Sequence, residues 1–108
     1  MEITTSLKTA WMYWGRPSLP MGAILCGTVG SQALIWLPTG WWEGGAGTLK
    51  RLDPTAAQRG WLQAVRDDHG WSIAETIGTS RRTWEGWEQG RTIPAEKMLA
   101  IYHAMMPV

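Results

Sequence analysis

The sequence predicts an α+β chain that is mainly α. It reads as a small helical bundle with a helix-turn-helix, preceded by a short N-terminal β-hairpin or small antiparallel sheet. Three observations predict this. Helix start signals cluster in the C-terminal half: Asp53-Pro54, Ser72 with Glu75, and Ser80 each open a helical pattern. Two short apolar runs in the N-terminal half, Ala23–Cys26 and Ala33–Leu37, are bounded by turn residues. Between the halves lies EGGAGT, Glu43–Thr48, whose glycines read as a flexible boundary. The division this implies is a β-rich, Trp-rich segment over residues 1–48 and a helical domain over residues 53–108.

Length and composition set the frame. The 108 residues suit one domain, or a small helical domain with an N-terminal appendage. Hydrophobic residues make up 44%, enough for a modest core and against wholesale disorder. Net charge is +1. Residues 1–49 set Lys8 and Arg16 against Glu2 and Glu43, and residues 50–108 set eight Lys/Arg against seven Asp/Glu. Any basic surface is therefore local. The single cysteine, Cys26, has no internal disulfide partner and reads as a small core residue in a cytoplasmic protein. No His/Cys group has metal-ligand spacing, so no metal or cofactor is expected. His69 and His103 stand without a carboxylate or nucleophile at useful spacing, so catalysis is not expected either.

In the N-terminal half, Leu7–Trp14 is ambiguous. Trp11 and Trp14 at spacing three suit a helix, while the composition Trp-Met-Tyr-Trp tilts the reading to a strand. From Pro17 to Trp42 there is no charge, yet a membrane span of roughly 20 apolar residues is not expected. The run is broken by Pro20, Gly22, Gly27, Gly30 and Pro38. The start MEITTSLK, with an acid at position two, fits a signal peptide poorly. Two strands joined by GTVGSQ are the better reading, with Gly27 and Gly30 supplying the hairpin loop. A lone hairpin is marginal in water, so this half must pack on the helical half or on another chain. Its tryptophans are core residues and that packing face, or a partner-binding surface.

The C-terminal half is read helix by helix. Asp53 caps a helix with Pro54 at its first position, running to about Asp68. Ala57, Trp61, Leu62 and Val65 form its core stripe, and Gly70 stops it. Ser72 and Glu75 form a capping box for a short helix with Ile73, Ala74 and Ile77 inward, unless that helix starts a turn earlier, near Asp68. Gly78 permits a tight corner. Ser80 caps the next helix, Arg81 to about Gln89, which buries Trp84 and Trp87 and shows Arg81, Arg82, Glu85 and Gly86 outward. Gly90 ends it. After Ile93-Pro94 the last helix spans Ala95–Met105, with Met98, Leu99, Ile101, Tyr102 and Met105 in one stripe.

At these residues the chain resembles the Xre/Cro-type (lambda-repressor-like) helix-turn-helix DNA-binding family. The places that match are Ala74, Gly78, Ser80, Trp84 and Trp87, then the closing Trp87-Glu88-Gln89-Gly90. The trailing Arg91-Thr92-Ile93-Pro94 matches the family's charged loop. The resemblance covers about residues 55–106, roughly half the chain. The sequence departs from the pattern at Gly70 and Ser72, which shorten the first helix, and at Gly86, where a base-reading side chain often sits. Glycine there costs about 1 kcal/mol of helix propensity relative to alanine.

The resemblance implies sequence-specific binding of double-stranded DNA by a small transcriptional regulator, bacterial or phage-like, acting as a dimer. The residues support that chemistry separately. A helix N-terminus offers free amides to phosphate, and Thr79 and Ser80 add hydroxyls. Arg81 and Arg82 project where base edges or phosphates would lie. Thr83 and Glu85 are secondary readers, and Arg91 is a phosphate clamp. The N-terminal strands or the last helix would supply the homodimer interface. The competing expectation is a protein-binding module on the same scaffold, such as a phage-encoded anti-CRISPR-like inhibitor of a nucleic-acid enzyme. Near-neutral charge, Gly86 and the Trp-rich N-terminal half favour that alternative. A third reading, a regulator inserted in a membrane through residues 17–42, ranks last.

Overall fold

The structure is a computed structural model and describes residues 2–45 and 48–106. The chain opens with strand β1, Ile3–Thr4. Ser6 then accepts a hydrogen bond from the Thr9 amide and caps helix α1, Leu7–Trp14, which Gly15 ends. Leu7–Trp14 is thus a helix and not the strand its aromatic composition favoured. Ala10 and Trp14, four residues apart, form its one buried face, so helical spacing outweighs β propensity here.

Strand β2, Ile24–Val29, takes up the first expected run from its second residue and extends it, and β3, Gln32–Leu37, contains the second and begins one residue earlier. Only Gly30 and Ser31 remain as the turn, since Val29 pairs with Gln32. Most of the expected loop is strand. Two more strands follow, β4 at Gly40–Gly45 and β5 at Thr48–Arg51. All five form one antiparallel sheet in the order β1-β2-β3-β4-β5. Helix α2 spans Pro54–His69, α3 Ser72–Thr76, α4 Arg81–Glu88 and α5 Ala95–Met105.

The expectation of a mainly-α bundle with an appended hairpin is overturned. A five-stranded sheet sits at the centre, and the fold is a sheet-rich α+β arrangement. The cause lies in Glu43–Thr48. Glu43, Gly44 and Gly45 belong to β4, and Thr48 begins β5; residues 46–47 lie outside the described residues. A methyl group at Gly44 would lie 2.7 Å from Cζ3 of Trp14. The glycine is therefore the seat of the Trp14 indole. A missing side chain that serves packing looks, in one dimension, like a missing side chain that serves flexibility.

Alternation along the strands divides the apolar residues between two faces. Leu25, Ala33 and Ile35 pack under Ala10 and Trp14 of α1. Ile24, Cys26, Leu34, Trp36 and Trp41 face the other way, into a core shared with α2, α4 and α5. The result is three layers, with α1 on one side of the sheet and four helices on the other.

The junction of sheet and helices centres on a β-bulge. The β2–β3 register slips between Leu25 and Gly27, so Cys26 has no partner on β3. Its freed carbonyl accepts the Trp61 Nε1–H of α2 at 2.9 Å. The Trp61 ring packs on Trp41 of β4 with centroids 5.4 Å apart. One tryptophan thus satisfies the bulge and fills the gap between layers. Burial there pushes the Cys26 thiol well above its ordinary pKa. No helix among the described residues is long and apolar enough to cross a membrane.

Candidate nucleic-acid interface

Most of the expected readers sit at the corner between α3 and α4, so how the corner is held matters. Gly78 adopts φ +71°, a left-handed conformation that L side chains resist. The Gly78 amide donates to Glu75 O at 3.0 Å and the Thr79 amide to Ala74 O at 2.8 Å, closing the end of α3. Ser80 Oγ accepts the Thr83 amide at 3.1 Å and starts α4. From below, Lys97 Nζ of α5 donates to Ile77 O at 2.9 Å. Trp84 and Trp87 are buried on the inner side of α4, as their spacing predicted.

The capping box at the start of α3 does not form. Trp71 occupies the N-cap position without a side-chain hydrogen bond. Ser72 lies inside the helix instead and donates its hydroxyl to His69 O at 2.7 Å. Only a short break separates the end of α2 from α3, so the serine satisfies a carbonyl of the departing helix rather than an amide of its own.

The corner brings Thr79, Ser80, Arg81, Arg82 and Thr83 together at the start of α4. Thr79 is half-buried and the other four are exposed. The Ser80 and Thr83 hydroxyls bond each other at 3.0 Å, so both serve the cap first. Glu85 is exposed one turn further on. Arg91 arrives from beyond the helix, yet it belongs to the same surface. A methyl group at Gly86 would lie 3.1 Å from Arg91 Cδ, and the Arg91 amide donates to Gly86 O at 3.1 Å. Gly86 is thus not an empty reading position but the groove in which the Arg91 stem lies. The patch carries three guanidinium groups against the one carboxylate of Glu85, a local excess that the net charge of +1 conceals.

Sequence reasoning missed the residues that hold α4 in place. Gln58 of α2 is buried, and its Nε2 donates to Trp87 O at 2.9 Å and to Arg91 O at 2.6 Å. Arg59 Nε donates to Glu88 O at 2.9 Å. Arg66 grips the Glu88 carboxylate with two hydrogen bonds, at 3.0 and 2.9 Å, and this pairing raises the guanidinium pKa above its ordinary value. Trp71 lies under two guanidinium groups, Arg66 at 5.1 Å and Arg81 at 5.0 Å from the ring centroid. A signal was available for Gln58, a polar residue beside Ala57 on the buried stripe. Partners more than 20 residues apart, such as Arg66 and Glu88, leave no such local mark. Comparison with family models, curated proteins and solved structures returned no match to this chain.

Proposed function

We propose that this chain binds double-stranded DNA sequence-specifically, as a small bacterial or phage-type transcriptional regulator acting in the cytoplasm. In this reading α4 enters the major groove, which admits one α-helix. The observation that carries it is the exposed arginine cluster at the capped start of α4, with Arg91 seated on the same helix at Gly86. The opposite side of α4 is anchored by Trp84 and Trp87, so the helix offers one defined face. Arg81 and Arg82 are placed to reach guanine edges or phosphates, and Thr79 and Ser80 to reach the backbone. Thr83 and Glu85 are secondary readers, Glu85 by accepting from a cytosine amino group. Arg91 is the phosphate clamp. The resemblance to Xre/Cro-type proteins supports the same assignment and adds a homodimer, whose two helices would reach successive grooves about 34 Å apart.

The test is a selection from random duplexes with the purified protein, followed by titration of the enriched sequence. Arg81→Ala and Arg82→Ala should each weaken binding by about 1–3 kcal/mol. Unaltered affinity in the double variant sinks the assignment.

A second reading has its own support on the far side of the sheet. Trp11, Met12 and Tyr13 of α1 are exposed next to Lys8 and Arg16, and no acidic residue occurs between Glu2 and Glu43. Such a surface fits an acidic protein partner, for instance a nucleic-acid enzyme that this chain would inhibit. A stoichiometric complex lost on Trp11→Ala, together with a failed duplex selection, would favour it.

A further inference from the structure

We infer that Trp71 is a positioning residue that pre-organises Arg81 as the base-reading arginine and leaves Arg82 as a mobile phosphate contact. This inference rests on the DNA-binding reading. Arg81 and Arg82 are adjacent, both exposed, and identical in chemistry. They differ in what surrounds them. The Arg81 guanidinium lies 5.0 Å from the centroid of the Trp71 ring. No hydrogen bond, ion pair or ring contact engages the Arg82 side chain among the described residues. An arginine already resting on a ring loses less rotamer freedom when it docks.

The indole is itself held. Arg66 lies 5.1 Å from the same ring, and Glu88 fixes that guanidinium through two hydrogen bonds. Glu88 is the last residue of α4 and Arg81 the first. The relay Glu88–Arg66–Trp71–Arg81 therefore runs from one end of α4 to the other by way of the end of α2. The ion pair also explains how two cations can share one indole. Glu88 pairs with Arg66, while no ion pair engages Arg81 among the described residues, so the donors of Arg81 stay available to a ligand. Trp71 occupies the N-cap position of α3 but makes no side-chain capping hydrogen bond. Its indole packs against the main core and carries the two arginines on its ring.

Two variants separate the indole face from simple bulk. Trp71→Phe keeps an aromatic face; Trp71→Leu keeps apolar volume and removes it. The first measurement needs no DNA: the NMR shift of the arginine Nε–Hε protons. Ring-current shielding of the Arg81 proton should be present in the wild type and in Trp71→Phe and absent in Trp71→Leu. The second is affinity for the selected duplex. Trp71→Leu should weaken it about two- to fivefold, as expected for loss of an exposed cation–π contact. Trp71→Phe should stay near wild type, and in an Arg81→Ala background Trp71→Leu should add nothing.

Weakening of equal size in the Arg81→Ala background would show that Trp71 acts through the fold, and would overturn the inference while DNA binding stands. Absence of any difference in the Arg81 proton between wild type and Trp71→Leu would overturn it as well. If the wild type enriches no duplex at all, the DNA reading fails and the role given to Trp71 falls with it.

Discussion

The two faces of the central sheet are packed with different emphasis. On the helical face, large side chains meet. Trp61 reaches across to the bulge carbonyl of Cys26 and packs at a tilt against Trp41, and Trp36 lies beside Trp41 in the β3–β4 register. On the α1 face, contact is made where a side chain is missing, with Trp14 resting on Gly44. The first face is held by hydrogen bonding and ring contact between elements far apart in sequence. The second depends on glycine seats, since a methyl at Gly44 would meet the Trp14 ring and one at Gly45 the Tyr13 carbonyl oxygen. Both are dense, as protein interiors must be, but they fail differently when altered.

Trp61→Ala should produce the largest loss. It empties the volume between layers and leaves the Cys26 carbonyl without a donor, so about 3–5 kcal/mol should go. Urea unfolding followed by far-UV circular dichroism measures this. A loss under about 1 kcal/mol, far short of that range, would show that the bulge is not the keystone of the helical face.

Gly44→Ala comes next. The added methyl must displace the Trp14 ring, at an overpacking cost of about 1–3 kcal/mol. The damage should be local. Hydrogen exchange should quicken in α1 while the amides of α2 and α4 keep their protection. Uniform acceleration across the chain would mean that the two faces do not fail independently.

The smallest effect concerns pH. Burial raises the Cys26 thiol pKa in the folded chain above its unfolded value of about 9. The stability linked to it is complete below that value and declines as pH rises past it, because the unfolded thiol ionises while the native one keeps its proton. Cys26→Ala should therefore flatten the alkaline fall in the urea midpoint relative to wild type. Identical pH profiles would show that the helical face admits water at the bulge.

How much of this could be read in advance divides along the same line. The helices after Asp53 were legible because local chemistry marks them: Asp53 and Ser80 cap where expected, and α5 spans Ala95–Met105 as its stripe predicts. Both hairpin strands were found, though short of their full length. The exposed candidates on α4 were legible from the spacing of Trp84 and Trp87, which fixes the inward side and so the outward one. Arg91 was found, but its place on α4 was not, because Gly86 was counted as a lost contact when it is the space that receives the arginine. Trp71 and Arg66 were missed for a related reason. Their roles arise from stacking between side chains brought together by the α2–α3 break and the corner, and spacing along one helix carries no trace of it.

By itself the sequence determined where α2, α4 and α5 start, which sides of them are apolar, and that its two short β runs form a hairpin. These follow from interactions within about four residues, or from a period of two or 3.6, and such interactions are written locally. Only the tertiary structure decided that Glu43–Thr48 contributes to strands rather than a linker. It also decided that the hairpin grows into a five-stranded sheet with helices on both sides, that the Arg81 guanidinium lies over the Trp71 ring, and that the Arg91 stem lies against Gly86. In each case the deciding contact reaches beyond one helical turn or the strand period, and a glycine's meaning depends on what lies over it.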